Sequence, residues 1–581
     1  MSEALVIFSL GPVQSFIAEA RRTRDLWAGS KLLSDATRAA IRAFQEAGAQ
    51  VIYPADPARQ SLPNKFVVRM PADRVRQAAQ AAEAAARRTL EEIALGARSY
   101  LQKKGAPIDE TWLEIWERQL RHHLEFFWAA VEINGDYQKA YEQVSLAFEA
   151  AKRTRVFEQC EEEGPKDSLS GRRSALHTRG VHPRDYWAEV SEALTPAELR
   201  PEGRERLDAL GVTKRFGYED VSFPSTSTIA ATPFLEKAKG TQALKSYRLF
   251  IQAIPLFFRV SGDPDWPYDG DLLFPEAFHP NRLRNDYGFT PEDIKKYGGP
   301  LEAARLALEM LYKAVGARPS PYYAILAMDG DSMGEHVANC ASAEEHAELS
   351  ARLAKFADLA EGIIRARKGT PVYIGGDDVL ALFPLPTAIQ AASELALVYR
   401  CLFADWAEKY PHHSLPFTAS AGIAIAHHRY PLGAALRAAR EAERKAKNVK
   451  GKDTVAVAVL RRSGEWVEMR SPWKALGDRF EELCGWFETG ALSSRFAYDA
   501  ADVAQRLGGP DGLPQANLTE PFRAELKRLL RRHRDEHKPR PPDPERAADD
   551  LMEWATTLPG SFRELANWIL LARFVAQGGE V

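Results

Sequence analysis

Two stretches of this chain run through the same succession of patterns. Each has a short apolar run, a long amphipathic segment, two more short apolar runs close together, a second amphipathic segment and a closing apolar run. In the first stretch, strands are expected over Leu5–Leu10, Gln50–Tyr53, Lys65–Arg69 and Leu124–Ile133, with an amphipathic helix over Gln14–Ala47 and alanine-rich helix from Ala72 to about Leu120. In the second, strands are expected over Tyr323–Ala327, Val372–Ile374, Val379–Phe383, Phe417–Ala426 and Thr454–Leu460. Helices lie between them: one opened by a Ser342/Glu345 capping box, one over Thr387–Tyr410 and one over Leu432–Val449. Short strands separated by helices long enough to return over a sheet leave few arrangements, and this order is that of the ferredoxin-like β-α-β-β-α-β unit. The fold class expected is α+β, with two such units that share order without obvious sequence identity.

At 581 residues the chain exceeds what one hydrophobic core supports, and about four domains are expected. Residues 1–155 are read as the first unit with a helical insertion, 156–316 as a mixed, mostly helical middle domain, 317–461 as the second unit, and 462–581 as a helical C-terminal domain without strands. The net charge of −3 carries no polycationic signature, so any nucleic-acid surface is local. One candidate is Phe522–Arg540, with eight Lys/Arg against three Asp/Glu, which reads either as a solvated helix face or as a phosphate-contacting surface. The basic helix carrying Arg21, Arg22, Arg24 and Lys31 leaves the same two choices. The four cysteines, Cys160, Cys340, Cys401 and Cys484, include no C-x-x-C pair, which fits a reducing compartment such as the cytoplasm. No apolar run approaches a membrane span, and the opening Met1–Leu10 reads as a strand rather than a signal peptide.

The segment Met328-Asp329-Gly330-Asp331-Ser332-Met333-Gly334 ends the first strand of the second unit, and Gly375-Gly376-Asp377-Asp378 is the turn of its central hairpin. That strand pairs with the hairpin in such a sheet, so its C-terminal end and the turn meet at one edge although 48 residues separate Asp329 from Asp377. Asp329, Asp331, Asp377 and Asp378 then crowd one small volume, which is costly unless protons or cations compensate. Hard oxygen donors of this kind suit two Mg²⁺ or Mn²⁺ ions. Gly330, Gly375 and Gly376 let the backbone approach a phosphate, and Ser332 and Ser420 join them as nucleotide-binding candidates. Lys447, at the end of the helix after the strand carrying Ser420, is placed to neutralise a triphosphate as a point charge. Two metals on such carboxylates activate a ribose hydroxyl and stabilise departing pyrophosphate, so nucleotidyl transfer is expected, with Asp377 and Asp378 as the catalytic pair. The bland alternatives are an exposed G-G-D-D turn and an exposed helix-end lysine. No P-loop and no H-E-x-x-H motif occurs in the sequence.

A strand followed by G-G-D-D, preceded by D-G-D-S-M-G and followed by S-A-G-I and an A-K helix end, resembles the cyclase palm in the large subunit of type III CRISPR effector complexes, whose wider kin are the diguanylate cyclases. Further segments resemble the type III-B, or Cmr, branch: Gly11-Pro-Val-Gln-Ser-Phe-Ile17, Arg21–Ser30, Leu62-Pro-Asn-Lys-Phe66, Phe223-Pro-Ser-Thr226 and Asp269-Gly-Asp-Leu-Leu-Phe274. The resemblance implies a two-palm protein in which the second palm converts ATP to cyclic oligoadenylates when the complex holds target RNA. It also implies other Cmr-type subunits, guide crRNA and target RNA as partners. The first palm agrees with a degenerate role: its strand ends in Ser9-Leu10-Gly11-Pro12, and its hairpin region offers Asp56 but no G-G-D-D.

Two departures from the family pattern stand out. The chain begins at the first palm and contains no His-Asp dipeptide, so HD-type nuclease activity is not expected. In place of a cysteine zinc ribbon only Cys160 stands, with His177 the nearest other ligand type, and two groups cannot complete a tetrahedral zinc site. A non-catalytic scaffold subunit of the same ribonucleoprotein and a stand-alone cyclic-dinucleotide cyclase remain as alternatives. No segment reads as a ligand-sensing module, so control of the palm is expected to come from its partners.

Overall fold

The computed structural model describes residues 2–154, 162–219, 221–460, 466–507 and 518–579. The protein is α+β, and its strands gather into two sheets. In the first, β1 (Glu3–Gly11), β2 (Gln50–Tyr53), β3 (Lys65–Pro71) and β4 (Glu125–Glu132) lie antiparallel in the order β2-β3-β1-β4. β1 has neighbours on both edges and layers on both faces, which is why its sequence is an almost unbroken apolar run. Val6, Phe8, Phe66 and Val68 face one core, while Leu5, Ile7 and Val67 face another that includes Tyr141, Val144 and Phe148.

The helix expected over Gln14–Ala47 is broken into α1 (Gln14–Ala18) and α2 (Thr23–Glu46). Asp25 fixes the break: its carboxylate accepts the backbone N–H groups of Arg21 and Arg22 and is held by the buried Arg215 guanidinium at 2.6 and 2.8 Å. The alanine-rich stretch forms α3 (Val75–Lys103), packed along α2, and α4 (Glu110–Arg121), whose N-terminus is capped by Asp109 accepting from the Trp112 amide. A further helix, α5 (Tyr137–Arg153), covers the opposite face of the sheet.

The middle region is helical among the described residues, with its longer helices at Thr226–Ala238, Gln242–Gln252 and Gly298–Val315. Cys160 lies outside the described residues; the His177 ring bonds the Thr178 carbonyl. Arg22 and Arg24 of the basic helix bond carbonyls and Glu205 of this middle region, so these two cations serve packing between elements, while Lys31 bonds Asp35 within its own helix.

The second sheet runs β10-β9-β8-β5-β7-β6, with β5 (Tyr322–Gly330), β6 (Thr370–Ile374), β7 (Val379–Pro384), β8 (Ala419–His427), β9 (Thr454–Leu460) and β10 (Trp466–Pro472). Its helices are α6 (Met333–Ala338), α7 (Ala343–Ala366), α8 (Ala388–Leu402) and α9 (Leu432–Lys447), the last crossing between the parallel pair β8 and β9. Two expectations need correction. The helix expected to run to Tyr410 ends at Leu402, because Phe403 and Trp406 turn inward onto Phe417, the Phe403 and Phe417 rings stacking at 4.1 Å.

Strands also do not vanish after Arg462: β10 pairs antiparallel with β9. Its seven residues include Glu468 and Arg470 and announce no strand by themselves. They are held by β9 and by α12 (Ser561–Ala576), from which Trp568 donates to the Arg470 carbonyl at 3.1 Å and Glu564 accepts the Arg470 amide at 2.8 Å. In the C-terminal region α10 (Thr519–His533) carries most of the basic run, and α11 (Pro544–Thr557) takes up much of its charge. Arg523 pairs with Asp549, and Lys527 and Arg531 both pair with Glu545. No helix among the described residues is long and apolar enough to cross a membrane.

Candidate active site

The strand end and the hairpin turn meet as their order requires. Met328 pairs with Val379 on β7, Val379 pairs with Ile374 across the hairpin, and on the other edge Asp329 pairs with Ser420 and Gly330 with Ala419. The turn is closed by the Gly375 amide donating to the Asp378 carbonyl at 2.8 Å, and Gly376 sits at φ +96°, a conformation that favours glycine. Gly330 touches the turn directly: a Cβ there would stand 3.0 Å from the Asp377 Cβ and 2.6 Å from the Tyr399 hydroxyl on α8.

The four aspartates are held differently. Asp377 is half-buried beside Tyr53, Tyr373 and Tyr399, and desolvation together with the Asp378 charge raises its carboxyl above the usual carboxylate range. Asp378 accepts from Arg440 on α9 at 3.3 Å, and Arg440 also holds Glu443 at 3.0 Å. Asp329 is engaged by the Lys447 ammonium, with Glu443 3.8 Å from the same lysine. Asp331 is buried; its Oδ2 accepts from the Thr418 and Ser420 hydroxyls at 2.8 and 3.1 Å and from the Asp453 amide at 3.0 Å, while its Oδ1 has no partner among the described residues. Ser332 adopts the left-handed region at φ 56°, which turns the chain from β5 into α6, and its hydroxyl accepts from Lys452 at 2.8 Å.

All the residues expected from the sequence therefore lie at one edge of the second sheet. Asp377 and Asp378 interact directly, Asp329 reaches Asp378 through the Lys447-Glu443-Arg440 chain, and Ser420 serves Asp331. Sequence reasoning missed Glu443 and Arg440, which sit one and two turns before Lys447 on the same helix face. It also missed the tyrosines. Tyr53 ends β2 of the first sheet, so its approach to the turn is a product of how the two units dock.

The first unit packs on the turn through the β2–β3 connection. The Ile374 amide donates to the Ser61 hydroxyl at 3.1 Å, and Arg59 bonds the Ala354 carbonyl of α7 at 2.9 Å. The gap there, bordered by Tyr53, Ser61, Leu353, Gly375 and Gly376, is only about 20 Å³. A much larger cleft of about 1400 Å³ lies between the α1–α2 junction, the middle region and residues 428–437. It opens beyond the far end of β8, about 26 Å along the strand from the aspartates, and is not this site.

The region carrying this geometry matches the family model described as Cas10/Cmr2, second palm domain, over residues 322–456, and residues 5–95 match the model described as CRISPR-associated protein Cmr2, N-terminal. A curated relative, the CRISPR system Cmr subunit Cmr2 of Pyrococcus furiosus, is 28% identical over a region covering 46% of this chain and 33% of the relative. This chain thus aligns with about a third of the length of the curated relative it matches. In fold it is similar to chains of the type III-B Cmr-beta complex in the apo state and bound to cognate target RNA. The TM-scores are 0.64 and 0.65 at 13% identity, over 100% and 99% of this chain and 82% and 83% of those chains. The region from β5 to the start of β9 is thus similar to the second palm domain of Cas10/Cmr2 proteins. The resemblance drawn from the motifs is matched by the family models in two separate segments of the sequence, residues 5–95 and 322–456.

Proposed function

We propose that this chain is the nucleotide-synthesising subunit of a type III-B effector complex. It assembles with other Cmr-type subunits around guide crRNA and joins ATP into cyclic oligoadenylates when target RNA is bound. The observation that carries the reading is the contact of Gly330 with Asp377, which brings the D-G-D strand end and the G-G-D-D turn to one edge. The strand orders support two ferredoxin-like palms, of which the first ends its β1 in Ser9-Leu10-Gly11 without an acidic group. The donor set suits two Mg²⁺ or Mn²⁺ ions: it consists of hard oxygens, and Asp331 presents a buried oxygen that lacks a partner among the described residues.

Asp329, Asp331, Asp377 and Asp378 would hold those ions, which supply charge neutralisation at the attacking hydroxyl and at the departing pyrophosphate. The chain's own groups do the rest. Lys447, in exchanging Asp329 for a phosphate oxygen, frees a carboxylate and binds the triphosphate in one movement. Lys452 and Ser332 lie beside it to orient that group, and the absence of side chains at Gly375 and Gly376 lets the backbone come close. Tyr53 and the Ser61 loop cover the turn, so two nucleotides enter only when the first palm shifts. This gives the partners and the target RNA a point of control.

The test is synthesis by the reconstituted complex carrying Asp377→Ala with Asp378→Ala, given labelled ATP, Mg²⁺ and target RNA, with products identified by mass spectrometry. Loss of product with assembly intact is expected, and EDTA should have the same effect on the parent complex. Undiminished synthesis removes the assignment.

A further inference from the structure

Behind the loop that follows Asp331 lies a second cluster of ligand-type side chains, which the chemistry above does not use. Cys340, Glu345 and His413 are all buried, and one ligand atom from each lies within 4.8 Å of the others. Glu345 was expected to complete a capping box with Ser342. Ser342 does accept the Glu345 amide at 3.1 Å, but the Glu345 carboxylate turns away. One oxygen accepts the Ala341 amide at 2.8 Å, and the other meets His412 Nε2 at 3.0 Å and His413 Nε2 at 2.7 Å. Among the described residues no lysine or arginine pairs with this buried carboxylate.

The neighbouring donors are equally under-used. His413 Nδ1 is buried without a partner among the described residues, and the buried His336 ring lies 6.1 Å from that of His413. Burial and the nearby His413 push the His336 imidazole down to about 4, the Pro416 backbone opposing, so that ring is neutral. The Cys340 thiol is pushed up by burial and by the Glu345 charge, so by itself it stays protonated. Phe403, Trp406 and Phe417 wall the cluster.

We propose that Cys340, Glu345 and His413 bind one zinc-class divalent cation. The charges balance: one dication offsets the Glu345 carboxylate and a Cys340 thiolate, with the thiol proton released to solvent, while His413 ligates as a neutral ring. Sulfur and imidazole donors select zinc over Mg²⁺ or Mn²⁺. Ligand atoms around tetrahedral zinc stand about 3.3–3.8 Å apart, so the 2.7 Å pair of His413 Nε2 and Glu345 opens by roughly 0.6 Å while the wider spacings of the cluster close by up to about 1 Å. His336 adjoins it as a further imidazole donor. This is a different place from the Cys160 segment, where zinc was not expected.

The position gives the cation a structural role. Cys340 lies nine residues after Asp331, and His413 lies five residues before Thr418, whose hydroxyl with that of Ser420 holds Asp331. A metal here ties together the two segments that fix that aspartate, whether or not the palm makes cyclic nucleotides.

The full chain, stripped with chelator and dialysed, is titrated with Co²⁺ and then Zn²⁺. The expected result is about one equivalent bound, with tetrahedral visible bands and a near-ultraviolet thiolate-to-cobalt band that Zn²⁺ erases. Cys340→Ser should lose the charge-transfer band, and His413→Gln should weaken binding at least tenfold. The Asp377→Ala/Asp378→Ala chain should keep the spectrum, which separates this site from the proposed nucleotide centre. Should Cys340→Ser fail to fold, the parent spectrum alone decides. Absence of a thiolate band at equimolar Co²⁺ would mean that the cluster is a histidine–glutamate ion pair only, and persistence of the band in folded Cys340→Ser would place the thiolate elsewhere; either outcome overturns the proposal.

Discussion

Replacing Gly330 with alanine tests the central contact of the site. The added methyl would stand 2.6 Å from the Tyr399 hydroxyl, 3.0 Å from the Asp377 Cβ and 3.2 Å from the Tyr399 Cζ. Carbon atoms pack at about 3.5–4.0 Å, so the turn and α8 must each retreat by roughly 0.5–1 Å. Overpacking of that size costs about 1–3 kcal/mol. At about 2–4 °C per kcal/mol for a domain of 150–250 residues, the transition of the second palm should fall by several degrees. A displacement near 1 Å in a reacting group costs about 10²-fold in rate, so product formation by the reconstituted complex should fall on that order.

Tyr399→Phe is the control. The Tyr399 hydroxyl is buried without a partner among the described residues, so its removal alone should cost little. In the double variant the tightest clash is gone and most of the thermal loss should return, while activity stays low because the Asp377 contact remains. Differential scanning fluorimetry and product quantification read the two effects. Gly330→Ala melting and turning over ATP like the parent would refute the packing of strand end against turn.

Lys447→Ala should raise the KM for ATP at least tenfold and alter kcat less, as steady-state synthesis would show; an unchanged KM denies the lysine a phosphate. The ion-pair core around Arg215 should fail in acid. Arg215 and Arg22 hold Asp25 and Glu205 below the ordinary carboxylate range, so their contribution is complete above about pH 4.5 and is lost as pH falls through the depressed values. Arg215→Met should cost about 3–5 kcal/mol at neutral pH by leaving both carboxylates buried, and a neutral-pH melt like the parent's would contradict this. A second acid limb belongs to His346, whose imidazole burial pushes down to about 3 and whose Nδ1 meets the Tyr137 hydroxyl at 2.8 Å. The unfolded chain takes up this proton first, so stability should decline as pH drops below about 6.5, and His346→Phe should flatten that limb of the melting curve. Lastly, ATP turnover should rise from subunit alone to complex with guide to complex with target; equal rates would remove control by partners.

Much of this protein was legible in the sequence because its strongest signals are local. A strand covered on both faces must be apolar along its length, so β1, β5 and β8 stood out. A tight turn that needs positive φ at Gly376 is written as glycine, and β-α-β-β order alone carries Asp329 to Asp377. What escaped the sequence depends on partners far along the chain. β10 is a strand because β9 and α12 hold it, and the helix from Gln14 breaks because Arg215, 190 residues away, keeps the Asp25 carboxylate buried at the bend. Glu345 has the spacing of a helix cap, yet its carboxylate serves His413 because burial leaves those groups no water to bond. Tyr53 covers the G-G-D-D turn only because two sheets far apart in the sequence pack together. The residue types available for chemistry were therefore fixed by local sequence. Which of them meet, and which carboxylate faces a cation, was decided by packing, since a buried charge takes its partner from whatever element tertiary structure places beside it.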